Sequence, residues 1–391
     1  MRKALRYVVF GFVALLLVLC AGLAWVLASE SGTRAALSLV DDLVTVKGLS
    51  GRLAGPLDVE EVRVVTPNLR LNIQHLHIDW RPSALFGRKL DGVVGTAEMI
   101  TVASRPSEEE TPSEPLALPE IPLPVTVTGT LQVGSIAVLR WDAADARDPL
   151  IFSDFDARLS GENRVQRIDA LGLTTPWGTV QLAASVDTRS SPHPVAANGW
   201  VRTQQQGHDI ELTYDVGGTL ARLEVDLAAE GASMTGDVHS VLAPFEDMPL
   251  ITLSARLDEL DPAAFVEGAP AANLNLAAEF AGDAVHQRLG GTLKVHNARS
   301  GTLDAGLLPF ESLVAQLDAS LDAVDLEQLE INLRGDARFA GAGRAAYATE
   351  TEGMRFDLAG RLSGLDPAKL HGAAPDGSIA LDLKLAGDAD G

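Results

Sequence analysis

From Val62 nearly to the end of the chain, apolar and polar residues alternate in short runs: Val62 and Val64, then Leu69, Leu71 and Ile73, then Leu76, Ile78 and Trp80. A period of two puts successive side chains on opposite faces of an extended strand, so each run reads as a strand with one apolar face. Gly, Asp, Asn and Pro separate the runs, and no helical periodicity of comparable length interrupts them. The alternation restarts at Val125, Val127, Leu131 and Val133. At about 10 to 12 residues per strand and turn, residues 125–391 predict roughly 24 strands.

A repeat sharpens this reading. Residues 256–283, RLDELDPAAFVEGAPAANLNLAAEFAGD, align without a gap on residues 361–388, RLSGLDPAKLHGAAPDGSIALDLKLAGD, at an offset of 105. Leu260-Asp261-Pro262-Ala263 matches Leu365-Asp366-Pro367-Ala368. The face of the closing strand is reproduced even where residues differ: Leu274, Leu276, Ala278 and Phe280 stand where Ile379, Leu381, Leu383 and Leu385 recur. Units whose identity is a pattern of faces predict a sheet that grows by stacking neighbours. The two Asp-Pro pairs read as turn initiators.

The N-terminus is of another kind. Tyr7 to Ala28 are 22 consecutive uncharged, mostly apolar positions, preceded by Arg2, Lys3 and Arg6. A helix of that length rises about 33 Å, enough for the roughly 30 Å hydrocarbon core of a bilayer. Residues 1–28 therefore read as a cytoplasmic tip and a signal anchor. The cations Arg2, Lys3 and Arg6 hold the N-terminus in the cytoplasm and send the bulk of the chain to the opposite side of the membrane. A cleaved signal peptide is the competing reading, since Val26-Leu27-Ala28 loosely resembles a cleavage site, although such peptides carry a shorter apolar core. Residues 29–47 read as a juxtamembrane helix, over about 33–43, and a linker. A first β-segment follows over 48–103, then 104–124, with six prolines and five glutamates, as a disordered acidic loop, and 125–391 as the repetitive β region.

Charge and cysteine content exclude several classes. The formal charge is −22, and without the three anchor cations the exported region carries about −25 (−22 − 3). Nucleic acid is excluded as a partner on this basis, because its recognition uses clustered cations that replace phosphate counterions. The single cysteine, Cys20, lies in the anchor, so no intramolecular disulfide can staple the remainder.

No motif carries chemistry. His75 and His77, two apart, could chelate a metal, but no third ligand is near in sequence, and they read as solvated side chains. Gly341-Ala342-Gly343 with Ala346 has the spacing of a dinucleotide loop, yet no strand-loop-helix unit surrounds it, and it reads as a turn. There is no G-x-S-x-G elbow, Walker loop or H-E-x-x-H. The expectation is a protein that is not an enzyme and uses no cofactor or metal.

The anchor followed by GLSGRLAGPLDVEEVRVVTPNLRLNIQHLHIDWRPSALF (48–86), the acidic Pro-rich insertion, TTPWGTVQLAASVD (174–187) and the repeats carrying Leu-Asp-Pro together resemble the TamB branch of the AsmA-like, bridge-like lipid transfer proteins. Family members are longer and end in a domain with no counterpart here, so the chain reads as the N-terminal portion of such a protein. The resemblance implies a taco-like, mainly β sheet anchored in the inner membrane and spanning the periplasm, with an apolar groove that carries phospholipid acyl chains between the membranes. It also implies an outer-membrane TamA-like barrel partner. The groove candidates are Ile251, Leu253, Leu257, Leu274, Leu276, Phe280, Ile379, Leu381, Leu383 and Leu385. The alternative is a translocation and assembly factor that offers strand edges to client outer-membrane proteins such as autotransporters.

Overall fold

The computed structural model describes residues 29–31, 44–52, 54–66, 69–81, 84, 87, 89–104, 126–140, 149–246, 248–320, 322–348 and 353–390. The expected anchor over 7–28 with Arg2, Lys3 and Arg6, the expected helix over 33–43 and nearly all of 104–124 lie outside them. Among the described residues no helix is long and apolar enough to cross a membrane. The protein is mainly β, its strands form curved sheet, and helix is almost absent.

The strands fall into two units that divide between Arg189 and Ser190. The first holds β1 (Val44–Lys47), β2 (Ser50–Gly51), β3 (Leu57–Val65), β4 (Leu69–Asp79), β5 (Lys89–Ser104), β6 (Thr126–Arg140), β7 (Leu150–Glu162), β8 (Val165–Thr175) and β9 (Gly178–Asp187). β1 and β2 both pair with β3, and the order then follows the sequence. Every pairing is antiparallel except β5 with β6, which is parallel. Parallel neighbours cannot be joined by a tight hairpin, because the chain must first travel back the length of a strand. Residues 105–125, which contain nearly all of the acidic Pro-rich stretch, make that crossover.

The second unit holds β10 (Val195–Gln205), β11 (His208–Thr219), β12 (Arg222–Gly231), β13 (Met234–Leu242), β14 (Leu250–Leu260), β15 (Leu274–Asp283), β16 (Arg288–Asn297), β17 (Phe310–Ala319), β18 (Ala323–Leu333), β19 (Arg338–Ala348), β20 (Gly353–Leu365) and β21 (Ile379–Asp390). All twelve pair antiparallel with their sequence neighbours. Across residues 125–391 there are sixteen described strands, β6 to β21, and not the roughly 24 that average spacing predicts. The strands alone run 9 to 15 residues, and connections such as 261–273 and 298–309 are long, so each unit of strand and turn takes more chain than 10 to 12 residues. Several strands also run on through a bulge where the register shifts.

Those bulges have a sequence signature. Strict alternation would space apolar residues by two, but the register slips where they are spaced by three: Leu257 to Leu260, Leu362 to Leu365, Leu326 to Leu329 and Ile168 to Leu171. An extra residue inserted on one strand restores the apolar face beyond the slip. At Glu259 and Gly364 the inserted residue adopts a left-handed backbone, with φ of 61° and 66°.

Glu259 and Gly364 are 105 apart, so the repeat encodes a built corner. In the first copy Asp261 caps the short helix Pro262–Ala264, and its Oδ1 accepts hydrogen bonds from the amides of Ala263 and Ala272, both at 3.1 Å. In the second, Asp366 caps Pro367–Leu370, and its Oδ1 accepts from Ala368 at 3.2 Å and Gly377 at 3.1 Å. Every partner is shifted by 105. One carboxylate thus satisfies two amides at opposite ends of a long connection, and the proline fixes the backbone for the first helical turn. The second corner also reaches another connection: Asp304, between β16 and β17, accepts from the Gly372 amide, between β20 and β21, at 2.8 Å. That bond is the leading cause holding the Asp304 carboxyl below its usual range.

Asp261→Ala removes both bonds of the first corner. Losing such a cap costs about 1 kcal/mol, so the Ala263 and Ala272 amides should exchange with deuterium roughly fivefold faster, with Ala368 and Gly377 unaffected. Asp261→Asn, which keeps the acceptor, should restore most of the protection.

Candidate functional site

In an antiparallel sheet, residues directly opposite one another share a face. Following the register across the second unit gives one row that crosses all twelve strands: Val201, Leu212, Ala229, Gly236, Leu257, Leu276, Val295, Leu313, Ile331, Phe339, Leu362 and Leu381. Two further rows run beside it. One passes through Tyr214, Leu227, Leu293 and Leu329 to Leu383, and the other through Val216, Leu253, Phe280, Leu317 and Leu358 to Leu385. The only polar side chains in the three rows are those of Tyr214 and Ser240, and none is charged. Burial pushes the Tyr214 phenol above its usual range, as apolar surroundings require.

The band covers four residues' rise along the strands, about 13 Å, and eleven strand spacings across them, about 53 Å. Each strand packs chiefly against the strands before and after it. No second layer of described residues in this unit lies on the band, and most of its side chains are half-buried by their neighbours in the sheet alone. Three of its members, Ile331, Phe339 and Leu362, show the same half-exposed state on three successive strands.

The structure brings the sequence-predicted residues together on this face. Leu257, Leu276 and Leu381 stand in the first row, Leu383 in the second, and Leu253, Phe280 and Leu385 in the third. Leu274 and Ile379 sit just past the two equivalent bulges, opposite Leu260 and Leu365, and Ile251 lies two residues before Leu253 on β14. Leu274 is the deepest, 9 % exposed. Ile379, Leu381, Leu383 and Leu385 are 42 to 58 % exposed, because β21 has a neighbour on one side only among the described strands. The rows also contain residues the repeat did not single out, such as Leu227, Val295, Leu313 and Phe339. Their signal was present in the alternation of each strand and needed only the register to connect them.

The opposite face is polar and internally paired. Directly opposed charges include Arg202 with Glu211 and Arg361 with Asp382, each at 2.6 Å, and His239 lies 2.7 Å from Asp226. Arg202 also lies over the Trp200 ring, 4.1 Å from its centroid. Arg288 reaches Asp318 at 2.7 Å and Asp325 at 2.8 Å, relieving two carboxylates that face each other across β17 and β18. Like charges so placed would repel without it.

His75 and His77 do not converge. In the first unit, His75 pairs with Glu98 and His77 with Asp58, both at 2.6 Å. Among the described residues no group of three or more His, Cys, Asp or Glu is placed to hold a metal ion. Gly341-Ala342-Gly343, read from sequence as a turn, lies inside β19, where glycine allows close approach from neighbouring strands. A depression of about 410 Å³ at the strand ends includes Glu259, Asp261 and Arg299. The Asp261 carboxylate there is already taken up by backbone amides.

No protein-family model, curated protein or solved structure matches this chain.

Arg361 donates to Asp382 at 2.6 and 3.3 Å and is the leading cause that holds this carboxyl below the usual carboxylate range. A carboxylate depressed by folding contributes stability that is fully present above its unfolded value, about pH 4, and is lost as pH falls through the depressed one. The difference in thermal midpoint between the wild type and Arg361→Gln should therefore be largest above about pH 5 and shrink on acidification toward pH 2. A difference independent of pH would refute the assignment.

Proposed function

We propose that this protein is anchored in the inner membrane, extends into the periplasm, and conducts phospholipid between the inner and outer membranes along the apolar band of its sheet. The observation that carries this reading is the set of three uncharged rows in register over twelve strands, with no layer of described residues on top. In an ordinary sandwich a face of this size is closed by a second sheet. The apolar N-terminal stretch with its flanking cations supplies the anchor, and the resemblance to the TamB branch points the same way.

The mechanism is solvation. Exposing a 16-carbon acyl chain to water costs about 0.8 kcal/mol per methylene, near 13 kcal/mol per chain. A band about 13 Å wide accepts acyl chains on their sides, while phosphate headgroups remain in water beyond its margins. No residue acts on a bond, and no cofactor is used. The acidic polar face, with its paired charges, keeps the outside of the sheet soluble and discourages sheet-to-sheet association.

Photo-cross-linkers placed at Leu253 and Leu381, followed by mass spectrometry of the adducts, should yield phospholipid at both positions. Leu276→Asp puts a charge between Leu257 and Val295 and should abolish lipid transfer while strand pairing, read by far-ultraviolet circular dichroism, persists. Adducts to outer-membrane proteins without lipid would favour the assembly-factor reading. Transfer retained in folded Leu276→Asp protein would exclude the conduit.

A further inference from the structure

The phenylalanines of the band do not stand upright; each lies down over a glycine. A Cβ built on Gly291, directly opposite Phe280, would fall 2.7 Å from that ring's Cγ. On Gly360 it would fall 2.7 Å from Cε2 of Phe339, and on Gly387, opposite Phe356, 2.9 Å from that ring's Cζ. Leucines do the same. Leu257 Cδ1 occupies the space above Gly236 at 2.7 Å, and Leu358 Cδ1 that above Gly343 at 2.9 Å. Real Cβ atoms essentially never approach other atoms this closely, so each large side chain rests where any other residue's first carbon would be.

Glycine inside a strand has a cost in backbone entropy and packs nothing of its own. Five such positions on one face, each filled by a large neighbour, therefore constitute a device and not an accident of composition. The device recurs in the first unit, where Leu131 Cδ2 lies 2.8 Å from the Cβ position of Gly95. Covering a glycine with a ring protects the bare backbone beneath it. It has a second effect: a ring that fills the space over a glycine projects less from the sheet than an upright ring would.

We propose that the glycines Gly236, Gly291, Gly343 and Gly360, with Gly387 at the margin, level the floor of the band, so that a hydrocarbon chain meets no rung as it moves from strand to strand. This rests on the lipid-conducting reading above and assigns a role within it. The level floor also discriminates between occupants. A folded protein partner is held by knobs seated in holes, with shape complementarity like that of a protein interior. A surface whose holes are filled from within offers no such seat. A fluid acyl chain needs only exclusion from water, and is best served by a surface without sockets.

Gly236→Ala and Gly360→Ala test this, because at both the nearest thing an added carbon meets is the large side chain, whereas at Gly291 it would also fall against the Glu279 carbonyl oxygen. Each adds one carbon under a large side chain and forces Leu257 or Phe339 up into the band, and overpacking of this kind has an energetic cost of about 1–3 kcal/mol. The full chain is reconstituted in phosphatidylcholine vesicles carrying a trace of fluorescent-tailed phosphatidylcholine, and transfer to unlabelled acceptor vesicles is followed. Transfer should fall about fivefold or more in each variant, equivalent to roughly 1 kcal/mol of added barrier. Lipid capture by cross-linkers at Leu253 and Leu381 should persist. Adding Phe339→Leu to Gly360→Ala, which lowers the obstruction, should recover most of the rate. Unchanged transfer in folded, lipid-capturing variants overturns the inference alone, as does slowing that Phe339→Leu fails to relieve. Failure of the wild-type chain to capture lipid overturns the functional reading, and this inference with it.

Discussion

Lateral hydrogen bonding between strands adjacent in sequence is what the second unit rests on. With each strand packed chiefly against its two neighbours, no distant element compensates if one pairing slips by a residue. A one-residue slip would exchange the faces of a strand, placing charges such as Asp226 or Arg256 among the leucines. The energetic penalty of that exchange selects a single register. The same apolar band that is open to an occupant is therefore also what fixes the alignment of the backbone. Local contacts of this kind are assembled by adding strands one at a time, and stability is set by each strand and its interface with the next.

The bulged corners solve a problem that such a sheet creates. A long run of regular strands accumulates twist, and an extra residue at a fixed level bends the strand and re-aims its side chains. Glu259 and Gly364 occupy the same left-handed position in the two copies, yet only glycine adopts it without strain. The corner persists in the first copy because the Glu259 amide donates to the Asn275 side chain at 3.2 Å and Asp261 ties both ends of the connection. Asn297, 3 % exposed, has a similar role at the end of β16. Its side chain accepts from the amides of Asn273 and Arg299 and donates to the carbonyls of Leu308 and Phe310, so no polar atom is stranded beside Leu274.

Much of this was legible in the sequence because a period of two is a direct statement about faces. Leu274, Leu276 and Phe280 could be assigned to one side of β15 without coordinates. Strand number was not legible, since an average spacing does not report strand length: β6 and β7 run 15 and 13 residues, longer than the 10 to 12 allotted to a strand with its turn. Gly341 and Gly343 misled for a related reason. Glycine pairs usually mark turns, and the ring and leucine that fill the space over them come from Phe339 and from Leu358 on the next strand, which alternation alone cannot align. The parallel join of β5 to β6 left no signal either, because the composition of 105–125 reports only that the segment is polar and rich in proline.

That single parallel join has a geometric effect on everything after it in the first unit. In a plain meander the connections following odd-numbered strands all emerge at one margin of the sheet and those following even-numbered strands at the other. Because β5 and β6 run in the same direction, the parity reverses: the hairpin from β6 to β7 leaves by the margin that also carries the turn from β3 to β4. Residues 105–125 thus act as a phase inverter. Replacing them with a tight turn would leave the faces of the later strands unchanged but transpose which connections decorate which border of the sheet.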